Sequence, residues 1–280
     1  MSNTRYARQI ALFGQAGHDR LADSRMVLLG VGGLGMHVVQ QLAYLGIRHW
    51  TLADSDTADD SNLNRLVGAF PHDVGTPKVH LAARLIESIQ PGANVTPLEF
   101  DLPHHAITAA IDAADLVIGA FDKELPRLAA VDLCSQAGRA YVDLATEVIS
   151  TAADDLVFGG RVVISHDGTG CLDCLNLIDQ RELAREQMTP DLRQLHDRQY
   201  GISRNELGGS GPSVVTVNGV VASLATTEVM CLLTGLRPSQ RQLTYRGDLG
   251  TVRRDSTRGR ENCPFCERWR KVADAAADSR

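Results

Sequence analysis

The sequence lacks an excess of positive charge. Its 28 lysines and arginines stand against 34 aspartates and glutamates, a formal net charge of −6, and no basic run interrupts the body of the chain. That balance offers a polyanion nothing to bind, so no nucleic-acid partner is expected. The start, "MSNTRYARQIALFG", has no apolar core of signal-peptide length, which reads as a cytoplasmic protein. No internal repeat or low-complexity linker divides the 280 residues, so one domain with a C-terminal extension is expected, long enough to bury a sizeable core. The histidines, His104 and His105 among them, show no ligand spacing and read as solvated or locally hydrogen-bonded. The one membrane-like stretch, Pro212–Leu233, contains Asn218, Glu228 and several hydroxyl side chains. It reads as a buried helix, and no membrane partner is expected.

What is present is an alternation. Strand patterns at Met26–Gly30, Trp50–Ala53, Val95–Glu99, Leu116–Gly119 and Tyr141–Leu144 are separated by helical patterns at Leu34–Leu45, Val79–Ile89, Ala106–Ala113 and Leu125–Ala137. Crossover connections of that kind demand an α/β fold: a Rossmann-like mixed, largely parallel sheet with helices on both faces. A ligand would lie at the carboxyl ends of the strands. After Leu144, "LVFGGRVVIS" reads as a strand pair around Gly159 and Gly160, an antiparallel extension of the sheet. The polar stretch Ile178–Ser210 reads as a helix followed by a mobile loop. Beyond it come the buried helix, a strand near Gln242–Tyr245 and a charged tail from Val272.

The stretch "MVLLGVGGLG" runs a strand into Gly30, Gly32 and Gly35 before a helix. Glycine there permits a tight turn and lets backbone amides approach phosphates at the positive end of the helix. Asp54, ending the second strand, is placed to hold ribose hydroxyls, and a NAD-binding oxidoreductase is the default reading. The following loop, "DSDTADDSNLNR", overrides it. Asp54, Asp56, Asn62 and Arg65 share that loop, and "GTPK" puts Lys78 at the start of the next helix. Cations and amide donors of this kind suit a site that breaks a phosphate bond, and Asp122 in "GAFD" supplies a carboxylate for Mg²⁺.

Among the six cysteines, Cys134 and Cys231 stand alone in apolar helical contexts and read as small buried residues. "CLDC" (Cys171, Cys174) and "CPFC" (Cys263, Cys266) supply the halves of a four-thiolate Zn²⁺ site. A redox role for either pair is the alternative. Two pairs in a cytosolic chain favour structural zinc.

"RYARQI", "GVGGLG", "DSDTADDSNLNR", "GTPK", "GAFD" and the two cysteine pairs run in order from Arg5 to Cys266. Together they resemble the ThiF/MoeB-like adenylyltransferases, the superfamily that includes the ubiquitin-activating enzymes. The resemblance implies an N-terminal helical arm over 1–24 and a single ATP-binding adenylation domain over 25–280. A loop insertion at about 176–211 and a zinc-tied C-terminal extension would belong to that domain. It implies that Gly30, Gly32, Gly33 and Gly35 line the ATP phosphates, with Asp54 on the ribose; Asp56 is a further nucleotide-binding candidate or a cap of its own loop. Asn62, Arg65 and Lys78 would reach the phosphates, and Asp122 would hold Mg²⁺. Arg8 would reach the γ-phosphate of a neighbouring subunit's ATP, which implies a homodimer.

The chain departs from the family pattern in three places. The segment from Leu175 to Gly211 holds no cysteine, which excludes a thioester there. Ser210, between glycines before the buried helix, is a candidate nucleophile for an oxyester, but with no base evident it reads more readily as an N-cap at a hinge. Lys123 and Leu66 replace the usual asparagine and glutamine. The implied reaction is ATP- and Mg²⁺-dependent adenylation of the C-terminal carboxylate of a ubiquitin-like or sulfur-carrier protein with a glycine-ended tail. The acyl-adenylate would pass to a sulfur donor, a conjugating protein or an amine. A peptide-modifying adenylyltransferase and a NAD-binding oxidoreductase are the alternatives.

Overall fold

A computed structural model describes residues 4–150, 156–193 and 212–278. Eight strands form one mixed sheet in the order β3-β2-β1-β4-β5-β6-β7-β8. The parallel half comprises β1 (Arg25–Leu29), β2 (His49–Ala53), β3 (Asn94–Leu98), β4 (Leu116–Gly119) and the start of β5 (Ala140–Ser150). The rest of β5 joins β6 (Leu156–Ser165), β7 (Gln242–Arg246) and β8 (Thr251–Asp255) in antiparallel pairing.

Strand alternation divides the core into two layers. Leu28, Leu52, Ile118 and Val142 point into one, packed with α2 (Gly33–Leu45), α3 (Lys78–Ile89) and α7 (Val215–Thr234). Val27, Leu29, Val117 and Tyr141 point into the other, with α4 (His105–Ala113), α5 (Glu124–Ala137), α6 (Gln180–Glu186) and α8 (Pro264–Asp278). Burial on both faces is why these strands read as near-continuous apolar runs. An N-terminal helix α1 (Ala7–Asp23), bent at Gly14, lies against α7, where Arg20 donates to the carbonyls of Leu233 and Thr234.

Three elements differ from expectation. "LVFGGRVVIS" is not a strand pair: it is the single strand β6, paired with β5 from Tyr141↔Ser165 to Ser150↔Leu156. The physical reason is close approach. A Cβ on Gly159 would lie 2.0 Å from the Tyr245 carbonyl oxygen, so these glycines sit mid-strand because nothing larger fits. The tail from Val272 continues a helix, α8, that begins at Pro264. β8, an exposed edge strand, carried no apolar alternation to reveal it.

Among the described residues, α7 is the one helix long and apolar enough to cross a membrane. It packs instead along α2, β5 and β6, burying Asn218 and Glu228 with its apolar side chains. Ser210 lies outside the described residues, as does much of the expected loop insertion.

Candidate active site

The carboxyl ends of β1, β2 and β4 meet at one rim. The Gly30 N–H donates to the Ala53 carbonyl at 2.9 Å, and the Ala120 N–H to the Leu29 carbonyl at 2.8 Å. Gly30 adopts φ +88°, and a Cβ there would lie 2.6 Å from the Ala120 carbonyl oxygen. A Cβ on Gly35 would meet the Gly30 carbonyl oxygen at 2.2 Å, so the turn closes only as glycine. Gly32 faces open space at the N-cap of α2 and provides no side-chain cap. The first-turn amides of α2 are therefore free to meet an anion, with the helix dipole behind them.

Asp54 is tied into this turn. Its carboxylate accepts the Val31 N–H at 2.6 Å and the Asp56 N–H at 2.9 Å. Burial pushes its pKa up, opposed by the charge of Lys78 and by those amides. Two accepted bonds leave lone pairs for ribose hydroxyls. Lys78 opens α3 with its side chain 11% exposed, and its Nζ lies 2.6 Å from Oδ2 of Asp56, which is 67% exposed. Asp56 thus holds the ammonium by its outer side. Asn62 closes a capping box: its Oδ1 accepts the Asp59 N–H at 3.4 Å. Arg65 donates to the Ser61 carbonyl at 2.7 Å and lays its methylenes against Gly33, where a Cβ would come within 3.2 Å of Cγ. Leu66 is buried in the core.

Asp122, just past β4, is exposed, and its carboxylate has no partner among the described residues. A free carboxylate at the rim, with oxygens available to a hard cation, fits Mg²⁺. Lys123, exposed, is the N-cap of α5 and makes no side-chain cap bond.

Arg8 is not brought to this rim. Its neighbours anchor at the opposite ends of α2 and α3: Gln9 donates to the Tyr44 carbonyl at 3.0 Å, Arg5 to the Ile89 carbonyl, and Tyr6 to the Gln90 side chain. With α2 13 residues long, Arg8 stands about 20 Å from its own chain's glycine turn. It is exposed at that far end of the molecule.

The two cysteine pairs converge. Cys171 Sγ lies 3.7 Å from that of Cys174 and 3.6 Å from that of Cys263, and Cys174 Sγ lies 3.6 Å from that of Cys266. All four sulfurs are buried and lie within 4.8 Å of one another. Four thiolates about 2.3 Å from a tetrahedral Zn²⁺ sit about 3.8 Å apart, so the cluster has the geometry of such a site, too open for a disulfide. Neighbouring thiols, Cys266 foremost, pull the Cys171 pKa down, whereas burial alone pushes Cys134 up. The cluster joins the segment after β6 to the start of α8.

The model of the ThiF family matches residues 6–266. The chain belongs to the ThiF family. The sulfur carrier protein ThiS adenylyltransferase of Escherichia coli K12 is 28% identical over 267 residues, 94% of each chain. The SAMP-activating enzyme E1 of Haloferax volcanii is 35% identical over 132 residues, 46% of this chain, which spans about half (49%) of that relative. The solved structure of E. coli MccB with ATP shares the fold, with TM-score 0.71, 20% identity and coverage of 95% of this chain and 75% of MccB.

In this ThiF-family chain, several residues at and behind the rim were not read as part of the site from the sequence. Asn218 of α7 presses on Gly33, where a Cβ would lie 2.6 Å from its Nδ2, and accepts the Thr146 hydroxyl at 3.1 Å. Glu186 of α6 accepts the Glu124 and Leu125 N–H groups at 3.0 and 2.7 Å, capping α5 beside Asp122. Arg127 and Asp143 form a buried pair behind the same loop. The signals available were an amide inside an apolar helix and an acid inside an apolar strand, "YVDLA".

Proposed function

We propose that this chain adenylates the C-terminal carboxylate of a small ubiquitin-like or sulfur-carrier protein with a glycine-ended tail, using ATP and Mg²⁺ and releasing pyrophosphate. The observation that carries the reading is the meeting of uncapped α2 amides, Arg65, Lys78, Asp54 and a free Asp122 at one sheet rim. The substrate carboxylate is already ionised at neutral pH, so it attacks the α-phosphorus without a general base. A bond forms from carboxylate oxygen to phosphorus, the α–β bridging bond breaks, and pyrophosphate leaves with the electron pair. The α2 amides, Asn62, Arg65 and Lys78 hold the phosphates and offset charge that grows on the leaving group. Asp54 orients the ribose, and Asp56 keeps Lys78 directed to the rim. Asp122 would hold Mg²⁺, which supplies Lewis-acid screening of the phosphate oxygens when bound.

Zn²⁺ in the four-cysteine cluster serves as a structural tie. The protein acts in the cytoplasm as a homodimer in which Arg8 reaches the partner subunit's nucleotide. An open groove between α1, α2 and α7, lined by Gln9, Gln41, Tyr44, Thr226 and Met230, offers the second subunit a face on the helix that carries Arg8. Transfer from the adenylate goes directly to a sulfur donor, conjugating protein or amine, with Ser210 as the residue that would form an oxyester were the acyl group to pass through the enzyme. The near full-length relative named for a sulfur carrier favours a carrier protein over a short peptide. The charges around the glycine turn disfavour a nicotinamide cofactor. ATP–pyrophosphate exchange tests the reading: label should enter ATP only with Mg²⁺ and a glycine-ended carrier present. Exchange that ignores the carrier would overturn it.

A further inference from the structure

The charges buried behind the rim exceed what the site residues above require. Asp143 in β5 is 0% exposed. Its Oδ2 accepts Arg127 Nη1 at 2.8 Å and lies 3.7 Å from Arg161 Nη2, while its Oδ1 accepts the Tyr141 hydroxyl at 3.2 Å. Each arginine also donates to a backbone carbonyl. Arg127 Nη2 reaches that of Phe121 at 2.6 Å, and Arg161 Nη2 that of Leu177 at 3.0 Å. Phe121 is the residue before Asp122, and Leu177 is the third residue after the first cysteine pair.

Stability alone does not explain this cluster. Removing two charges from water costs about as much as their attraction returns, and apolar side chains would fill the space as well. A guanidinium pinned on one side by a carboxylate does supply a rigid fork whose other prong can fix a backbone position. The loop it holds has anchors on either side, the Ala120 N–H on Leu29 and the Glu124 N–H on Glu186. Between those anchors Arg127 grips the peptide that leads into Asp122.

We propose that Asp143 is a positioning residue: it locks Arg127 across its own carboxylate and the Phe121 carbonyl, and so fixes where the Asp122 carboxylate meets the nucleotide-bound metal. The inference rests on the reading of Asp122 as the Mg²⁺ ligand. Without the Asp143 charge, the nearest acid to Arg127 is Glu124, whose Oε2 lies 3.9 Å from Nε. The guanidinium swings toward it and releases Phe121. A carboxylate displaced by about 1 Å loses most of its value to a hard cation that demands near-ideal geometry.

The test is calorimetric ATP binding to the full-length chain, with and without Mg²⁺. The proteins compared are the native chain, Asp143→Asn, Arg127→Lys, Asp122→Ala and the double variant Asp122→Ala/Asp143→Asn. Lysine keeps a charge opposite Asp143 but cannot span carboxylate and carbonyl, so Arg127→Lys carries the test should Asp143→Asn fail to fold. The expected result is an at least tenfold rise in half-saturating Mg²⁺ for Asp143→Asn and Arg127→Lys. Metal-free ATP affinity stays within twofold, and Asp143→Asn adds nothing in the Asp122→Ala background. Equal weakening with and without metal, or an unchanged Mg²⁺ response, would overturn the inference. Should Asp122→Ala itself keep the native Mg²⁺ response, the metal reading of Asp122 falls and this inference with it. Loss in Asp122→Ala but not in Asp143→Asn sinks the inference alone.

Discussion

Lys78 is a nearly buried ammonium whose close counter-ion, Asp56, is mostly in water. The pair gains little stability, because its exposed side is screened. On the proposed reading, its value lies in presenting a charge to phosphate at the head of α3. Lys78→Ala should therefore cut carrier-dependent pyrophosphate exchange by about a hundredfold or more and leave the urea midpoint almost unchanged. A NAD-binding site would be indifferent to that change. Asp73 is the opposite case, a structural acid. The Arg84 guanidinium, bonded to both of its oxygens at 2.7 Å, holds its pKa down to about 2. A carboxylate whose folded pKa lies below its unfolded value of about 3.9 stabilises the fold above that value and loses the contribution as pH falls toward 2. The urea midpoint of Asp73→Asn should lie below that of the native chain at pH 6 and converge with it near pH 2. Equal gaps at both pH values would contradict the assignment. The places of Asp54 and Arg65 in the loop after β2, and of Lys78 at the head of α3, were legible in the sequence because a strand end and a helix start mark them. Asp143 was not, because its partners Arg127 and Arg161 come from α5 and β6, and only folding brings them together.

At the scale of elements, strand–glycine–helix units were readable because apolar runs, turn glycines and helical periods agree locally. The antiparallel half was harder. Gly159 and Gly160 look like a turn in sequence, and only the nearness of β7 shows them to be mid-strand. The α6–α5 contact is also invisible in sequence. Glu186 caps α5 from another element, so its loss frees two amides at the positive end of that helix and unpins the segment that carries α6. Glu186→Ala should cost about 1 kcal/mol, as the loss of an N-cap does, and should quicken limited proteolysis in the 176–211 segment. An unchanged digestion rate would show that the cap does not hold that segment down.

For the whole molecule, the cysteine cluster is the long-range tie. It joins the chain after β6 to α8, whose Trp269 is 1% exposed and donates to the Arg139 carbonyl at 2.9 Å. The other tryptophan, Trp50, is buried in the opposite layer. Chelation of bound zinc should lower the melting temperature and red-shift tryptophan emission. The red shift should be lost in Trp269→Phe and kept in Trp50→Phe. No shift on chelation would mean that the metal does not hold α8 in place. The spacing of the two CxxC pairs pointed to a four-cysteine cluster, while the depth at which it sits in the second core layer needed the fold.

The proposed reaction is adenylation of a carrier's carboxyl end. Its most direct test is intact-mass analysis of the full-length chain with ATP, Mg²⁺ and a recombinant ubiquitin-like carrier ending in glycine. The expected result is a carrier that gains the mass of AMP only when both ATP and Mg²⁺ are present, at a rate cut by about a hundredfold or more in Lys78→Ala. A carrier that keeps its mass, from a protein that instead binds NAD tightly, would rule that reaction out.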